Sequence, residues 1–177
     1  MSKIYVDCGA HQGDIFRLYY GQFDEYHLFE IHPVIHKKLI ESLPKDGKVY
    51  VHNNAVWTEN GTAEFYLSQH DTYGSTMIKE KQSGRIDVNN PHIVDTVDFS
   101  NFILSLDATY LHVKMDIEGA EYAVLDKMIK DDTLRFVDTL EVEFHSHKIQ
   151  SSHIKKQHDS LLNHLTKLEN LTLITHS

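Results

Sequence analysis

Hydrophobic and polar positions change period repeatedly along this chain. Short apolar runs of β character recur, separated by stretches in which apolar residues follow helical spacing. The first helical stretches are 14–21 and 34–43, the second opening at Pro33, and a third, 99–106, follows Asp98 as its N-cap. Such alternation predicts α/β architecture: βαβ units and a mostly parallel, twisted sheet with helices on both faces. The predicted strands are 4–6, 26–30, 48–53, 110–115, 139–145 and 171–175.

The most informative stretch is 113–125, which reads VKMDIEGAEYAVL: an apolar strand runs into two carboxylates and then into a helix. We predict that this helix begins at Glu118 or Gly119, with Asp116 as its N-cap in the structural alternative. In an open α/β sheet, ligands bind outside the carboxyl ends of the strands. Asp116 and Glu118 are therefore expected beside a ligand.

The remaining segments complete one domain. Residues 62–67 alternate and predict a short edge strand after a turn at 59–62. Residues 68–90 are polar and lose periodicity, so we expect a lid or substrate loop. A helix over 154–170 precedes the last strand, and the whole chain, 1–177, has the length of a single domain.

Composition narrows the class of protein. The chain has 17 Lys and Arg against 26 Asp and Glu, a formal charge of −9. This balance argues against nucleic-acid binding and suits a cationic ligand. Because no apolar leader and no run of about 18 apolar residues occurs, we expect a soluble, cytoplasmic protein without a membrane partner. The single cysteine, Cys8, is expected in the core, and most of the 14 scattered histidines at the surface.

The first predicted strand ends in a glycine loop. Gly9 and Gly13 allow a tight turn in front of a helix N-terminus. Their spacing is Gly-x-x-x-Gly, and the middle glycine that admits a pyrophosphate in dinucleotide-binding folds is missing. Asp7, at the end of the strand, is placed to accept a hydrogen bond from a ligand's amino group.

Polar side chains also end the next two strands. Glu30 follows Asp7 at the spacing where an acid meets a ribose hydroxyl in nucleotide folds. Asn53 and Asn54 fall where a base ring would lie, with amides that can pair with its edge. Together with the glycine loop, these residues indicate a nucleotide-like ligand.

Five motifs together resemble the FkbM family of S-adenosylmethionine-dependent methyltransferases, over roughly residues 3–147. They are VDCGAHQG at 6–13, FEIHP at 29–33, NNAV at 53–56, KMDIEGAE at 114–121 and EVEFH at 141–145. The resemblance implies a class I methyltransferase, Rossmann-like fold, with a seven-stranded sheet or a trimmed form of it. It also implies O-methylation, commonly of a sugar or glycan hydroxyl.

The resemblance assigns cofactor contacts position by position. Glu30 would contact the ribose of S-adenosylmethionine, and Asn53 and Asn54 the adenine end. The residues that would border its methionine part are Asp7, Gly9, Ala10, His11 and Gly13.

In two respects the chain departs from the family pattern. It opens directly on the first strand, without the N-terminal helices that many members carry, and it ends soon after the strand at 171–175, so we expect the C-terminal hairpin to be trimmed. Both departures affect the substrate pocket more than the cofactor pocket. A homo-oligomer in which a partner subunit completes the pocket, and a long glycan that needs no enclosure, both stay open.

Methyl transfer to a hydroxyl needs alignment and a proton acceptor. Asp116 is our first candidate, as base or metal ligand, and His145 is a second base. Glu143 and His145 occupy alternate positions of one predicted strand and so face the same side. With Asp116 they would form a site for a divalent metal, Mg²⁺ or Mn²⁺, that acidifies and orients the hydroxyl. Glu118 is a further candidate, whereas Glu121 is assigned to the first turn of its helix, where the dipole favours acids.

Two other functions remain as alternatives. An NAD-type oxidoreductase on a related fold predicts a middle glycine in the first loop, which Ala10, His11 and Gln12 do not supply, and a substrate domain for which the chain is short. A non-catalytic cofactor-binding module would not need the acids and the histidine of the strand ends. Both alternatives are weaker than the methyltransferase hypothesis.

Overall fold

The structure, a computed structural model, describes residues 2–69, 72–149 and 151–176. Five α-helices lie within these residues: α1 Asp14–Tyr19, α2 Pro33–Ser42, α3 Phe99–Ser105, α4 Glu121–Lys130 and α5 Ser152–Leu165. The strands in the same part of the chain are β1 Ser2–Cys8, β2 Glu25–Phe29, β3 Val49–His52, β4 Ala55–Trp57, β5 Gly61–Phe65, β6 His92–Asp98, β7 Ala108–Met115, β8 Thr139–Glu143 and β9 Thr172–His176.

The main sheet has six strands in the order β3-β2-β1-β7-β8-β9, and every neighbouring pair is parallel. Because side chains alternate along a strand, β1 supplies two cores. Its Ile4, Val6 and Cys8 pack on one face with α3, α4 and α5, whereas Tyr5 packs on the other with α1 and α2. The expected α/β sheet with helices on both faces is confirmed, and Cys8 is buried as predicted.

Local sequence explains how several elements begin. Pro33 occupies the first turn of α2, where its missing N–H costs nothing. The Asp98 side chain accepts a hydrogen bond from the Asn101 N–H and caps α3, as predicted. Pro33 and Asp98 therefore predicted the starts of α2 and α3 correctly.

A second, small sheet was not predicted. It has three strands in the order β4-β6-β5, with β4 and β6 parallel and β5 antiparallel at an edge. The prediction of an edge strand near β5 is confirmed. The hydrophobic pattern did not predict β4, which has only three residues. It did not predict β6 either, because Ile93 is 67% exposed and buried and exposed residues do not alternate regularly along this strand.

The predicted start of α4 was wrong. Glu118 has a φ of 55° and Gly119 a φ of 112°, so the chain makes a left-handed turn before the helix begins at Glu121. Asp116 is therefore not the N-cap of α4; Ala120 holds that position. The strand predicted over 139–145 ends at Glu143, and α5 ends at Leu165 rather than 170, where the chain turns to lay partly buried leucines against the core.

Residues 68–90, apart from 70 and 71, which lie outside the described residues, carry isolated bridges rather than helices or strands. These bridges pair Thr76 with Tyr66, Ser68 with Ile86, and Lys81 with Ile149. The expectation that most histidines lie at the surface is met only in part, because four of those that the structure describes are buried: His27, His32, His112 and His145. Of the described histidines, the exposed ones are His92, His147, His153, His164 and His176. Among the described helices, none combines the length and the apolar character needed to cross a membrane.

Candidate active site

A cleft opens at the carboxyl ends of β1, β2 and β7, the edge of the sheet where ligands collect in open α/β folds. Its wall opposite the sheet is residues 72–77, part of the predicted lid. The space inside, including the part open to solvent, is about 720 Å³. In open α/β folds, a cleft at this place is where a cofactor or other small molecule binds.

The lining of this cleft is acidic. Glu30, Asp116 and Glu118 contribute three carboxylates, and no Lys or Arg is present among the described residues that line it. The rest of the lining is polar lid residues, apolar side chains and the imidazoles of His11 and His32. The cleft therefore favours a ligand that carries positive charge.

Gly9 brings the first loop against the turn that follows β7. Its φ is 82°, and a Cβ atom at this position would lie 1.9 Å from the backbone oxygen of Asp116. Glycine is required here both by the left-handed backbone and by this contact. Gly13 also has a positive φ, and there a Cβ would lie 2.9 Å from Leu39. The two glycines thus bring the loop close to the sheet and to α2.

Glu30 holds the same loop from the second strand. Its carboxylate accepts hydrogen bonds from the backbone N–H of His11 at 2.8 Å and of His32 at 2.7 Å. Burial raises the pKa of Glu30, although these two hydrogen bonds oppose the shift. The side chain shapes the cleft and remains in its lining, where it can also meet a ligand hydroxyl.

The predicted cofactor residues divide between the lining and the layer behind it. Gly9, His11, Glu30 and Asn54 line the cleft. Asp7, Ala10, Gly13 and Asn53 are absent from its described lining; Asp7 is fully buried and Asn53 is exposed.

His11 is tied to the lid. Its ring stacks on Tyr73 with 4.1 Å between the ring centroids, and its Nε2 lies 3.0 Å from the hydroxyl of Thr72. These contacts close one end of the cleft.

Asp116 lies between Lys114 and His145 at the other end of the cleft. Lys114 Nζ is 3.6 Å from one carboxylate oxygen of Asp116, and His145 Nε2 is 3.6 Å from the other. Lys114 also lies 3.3 Å from Asp7 and donates to the carbonyl of Gly9 at 3.3 Å. The Asp116 side chain is 31% exposed, so it is held from behind while it faces the cleft.

His145 is completely buried behind Asp116. Its Nδ1 lies 3.2 Å from Glu121, while its Nε2 lies 3.5 Å from Glu118 and 3.4 Å from Glu143. Burial lowers the pKa of His145, but the carboxylates of Glu121 and Glu118 outweigh it, so the pKa is raised overall. Among the described residues, Nε2 has no partner in hydrogen-bond geometry.

The predicted trio of Asp116, Glu143 and His145 is therefore brought together around the imidazole. A tighter group forms with Glu118, because ligand atoms of Asp116, Glu118 and His145 all lie within 4.8 Å of one another. One nitrogen and several carboxylate oxygens match the donor set of a divalent cation. Glu143 contacts His145 from a more exposed position.

Glu118 is also the point where the lid is attached. The buried ammonium of Lys81 lies 2.6 Å from its carboxylate, and Lys148 lies 3.5 Å away. The hydroxyl of Thr76 donates to the Glu118 carbonyl at 2.7 Å. Burial raises the pKa of Glu118, but His145 and the two lysines outweigh it and hold the pKa below its usual value.

Sequence reasoning missed the three lysines that we place at the site, Lys81, Lys114 and Lys148. Lys114 could have been found, because a lysine between Val113 and Met115 in an apolar strand must have a charged partner. Lys81 carries no such signal, since it stands in a polar loop.

Comparison with protein-family models gives a match. A family model described as the Methyltransferase FkbM domain matches residues 7–171. None of the curated proteins compared with the chain matches it.

Proposed function

The chain belongs to the FkbM methyltransferase family, and from this we propose that it is an S-adenosylmethionine-dependent O-methyltransferase that acts on a hydroxyl of a sugar or glycan. The family supports methyl transfer itself. The cofactor and the acceptor are our proposal.

The acidic lining of the cleft is the observation that supports this cofactor most directly. S-adenosylmethionine carries a sulfonium and an ammonium, and both are attracted by the carboxylates of Glu30 and Asp116. The third carboxylate of the lining, Glu118, is already paired with Lys81. NAD carries a negatively charged pyrophosphate, which needs cationic or N–H donors and the missing middle glycine. The same cleft therefore disfavours the oxidoreductase alternative.

Asp116 is the group we assign to the acceptor. When bound, S-adenosylmethionine supplies a methyl group on a positively charged sulfur, and a hydroxyl oxygen displaces that sulfur in line. Asp116 accepts the hydroxyl proton as the new bond to oxygen forms. Lys114 and His145 fix its two oxygens, and the buried His145 Nε2 is the next group that can take the proton.

A divalent metal is a second form of the same proposal. The buried and unpartnered Nε2 of His145, surrounded by carboxylates, is the observation that favours it. Asp116 and His145 would hold Mg²⁺ or Mn²⁺ together with Glu118 or Glu143. Lys81 opposes binding at Glu118, because its ammonium already neutralises that carboxylate. A bound metal would acidify the acceptor hydroxyl.

Calorimetric titration of S-adenosylhomocysteine into the purified protein, with NAD as a parallel control, tests the cofactor. We expect one-to-one binding of the former with a dissociation constant of about 1–100 μM, and no heat from NAD. Binding of NAD alone would contradict the proposal. Transfer of a labelled methyl group to a panel of glycans then tests the acceptor.

A further inference from the structure

Two backbone N–H groups and one ring nitrogen converge on the buried carboxylate of Glu121. One oxygen accepts from the backbone N–H of Gly119 at 2.8 Å. The other accepts from the backbone N–H of His145 at 2.8 Å and lies 3.2 Å from the ring Nδ1 of the same residue. Glu121 therefore joins the turn after β7 to the segment after β8, which are the two places that supply Asp116, Glu118 and His145.

The position of Glu121 in the first turn of α4 explains its contact with Gly119. The helix dipole favours a carboxylate here, and the bond to Gly119 satisfies a donor in front of the helix. The dipole does not require two contacts to a histidine 24 residues away. Nor does it require complete burial, which costs free energy for a carboxylate unless it is fully paired.

The geometry leads us to infer that Glu121 is a positioning residue: it holds the Nδ1 proton of His145 and thereby directs Nε2 at the carboxylates of Glu143, Glu118 and Asp116, of which Asp116 is assigned to the acceptor. This inference rests on the proposed function, because Asp116 is the group that meets the acceptor. A carboxylate that binds one ring nitrogen sets the tautomer and the ring orientation at the other. The arrangement serves Asp116 as base and a metal-binding His145 alike.

Glutamine cannot replace this carboxylate. Three donors point at the two oxygens of Glu121, and both oxygens only accept. In Glu121→Gln, one oxygen becomes an NH₂ group, so either the Gly119 N–H or both donors of His145 face another donor. The variant keeps size and shape while it removes the interaction, which makes it the sharpest substitution at this position.

The first test reads the ring directly. Nitrogen-15 NMR of the wild-type protein, labelled at histidine and assigned with the His145→Gln variant, reports which ring nitrogen carries the proton at a pH where the ring is neutral. We expect the proton on Nδ1. A proton on Nε2 in the wild type would overturn the inference without any variant of Glu121.

The second test compares Glu121 with Glu141, a partly buried glutamate that also contacts a histidine but lies away from the cleft. Glu121→Gln should lower kcat about 10–100-fold, the cost of losing a carboxylate behind a functional histidine. It should leave the KM for S-adenosylmethionine within about twofold, because the cofactor end of the cleft is unchanged. Glu141→Gln, in β8 and bonded to Tyr19 and His176 away from the cleft, should leave both constants unchanged.

The outcomes separate the two proposals. A folded Glu121→Gln protein with wild-type kcat overturns the positioning role, as does a loss of kcat with an unaltered His145 tautomer. If Glu121→Gln does not fold, the wild-type tautomer decides. If the wild type neither binds S-adenosylhomocysteine nor transfers methyl groups, the proposed function is wrong. The tautomer of His145 still tests whether Glu121 binds the Nδ1 proton.

Discussion

Strands β7 and β8 carry two clusters that pair a histidine with carboxylates, and the two differ in position. His145 follows the carboxyl end of β8 and is surrounded by four carboxylates, two of which, Asp116 and Glu118, line the cleft. His112 lies in mid-strand, with Glu141 at 3.4 Å and the rings of Tyr5 and Tyr19 against it.

The surroundings give the two histidines opposite electrostatics. Burial lowers the pKa of His112 because a single carboxylate does not offset it. For His145 the nearby carboxylates outweigh the effect of burial, and the pKa is raised. The same pair of residue types is thus packed among rings in the middle of the sheet, where the pKa of the histidine is lowered, and lies among carboxylates at its edge, where the pKa is raised. A histidine among carboxylates is therefore a candidate for catalysis when it lies at the end of a strand, and a packing element when it lies in the middle of one.

Replacing Asp116 is the strongest way to test this difference. In Asp116→Asn the acceptor hydroxyl loses its proton acceptor, and we expect kcat to fall by about 100-fold or more. Affinity for S-adenosylhomocysteine should stay within a few-fold. Calorimetry and a methyl-transfer assay on one preparation measure both, and equal losses of binding and rate would contradict the assigned role.

Glu30 provides the reverse case. In Glu30→Gln one of the two backbone N–H groups, of His11 or His32, loses its acceptor, so the first loop should loosen. We expect affinity for S-adenosylhomocysteine to fall about tenfold, as for loss of a buried hydrogen bond to a charged group. Saturating cofactor should restore most of the rate. A rate that stays low at saturation would assign Glu30 to the transfer step instead.

Metal removal distinguishes the two forms of the His145 site. If Asp116 and His145 hold a divalent cation, EDTA should lower the rate about tenfold or more, and added Mg²⁺ or Mn²⁺ should restore it. The His145→Gln protein should not respond to the metal. An unchanged rate after exhaustive chelation would remove the metal and leave Asp116 as the base.

Replacing His112 should have the smallest effect on activity. His112→Phe fits the ring cluster, and we expect wild-type kcat and a change in unfolding free energy within about 1 kcal/mol. The folded state holds the pKa of His112 below 6.5, so this residue contributes full stability above pH 6.5 and loses it as the pH falls through the folded value. Urea melts between pH 7 and 5 should therefore show a shallower acid loss in the variant. A drop in kcat would make the mid-strand cluster functional and remove the contrast.

Much of the main sheet could be predicted because its strands carry a strong local signal. The apolar runs around β1 and β7, and markers such as Pro33 and Asp98, are properties of a few consecutive residues. The turn at Glu118 and Gly119 was missed because first-turn acids and a glycine also suit a helix start. What decides the turn is the distant contact of Gly119 with Ile78 and Ile149, close to which a Cβ would lie.

The candidate site could be predicted in part. Asp116 and His145 were named from their places at strand ends, and the structure brings them together. Asp7 was expected beside the ligand but lies buried, because Lys114 draws it into an ion pair behind the loop. The contact of Lys81 with Glu118 joins positions 37 residues apart and depends on how the polar loop folds back. Such pairings leave no trace in local sequence.

The contact of Gly9 with the Asp116 carbonyl affects how variants of this protein should be interpreted. A screen would find position 9 intolerant, and the natural conclusion would be that it touches the cofactor. A Cβ atom at position 9 would lie only 1.9 Å from the backbone oxygen of Asp116, so even alanine would push the two loops apart in the absence of a ligand. Loss of activity in variants at position 9 would therefore reflect a changed distance between the two loops, and it would not show that Gly9 contacts the cofactor.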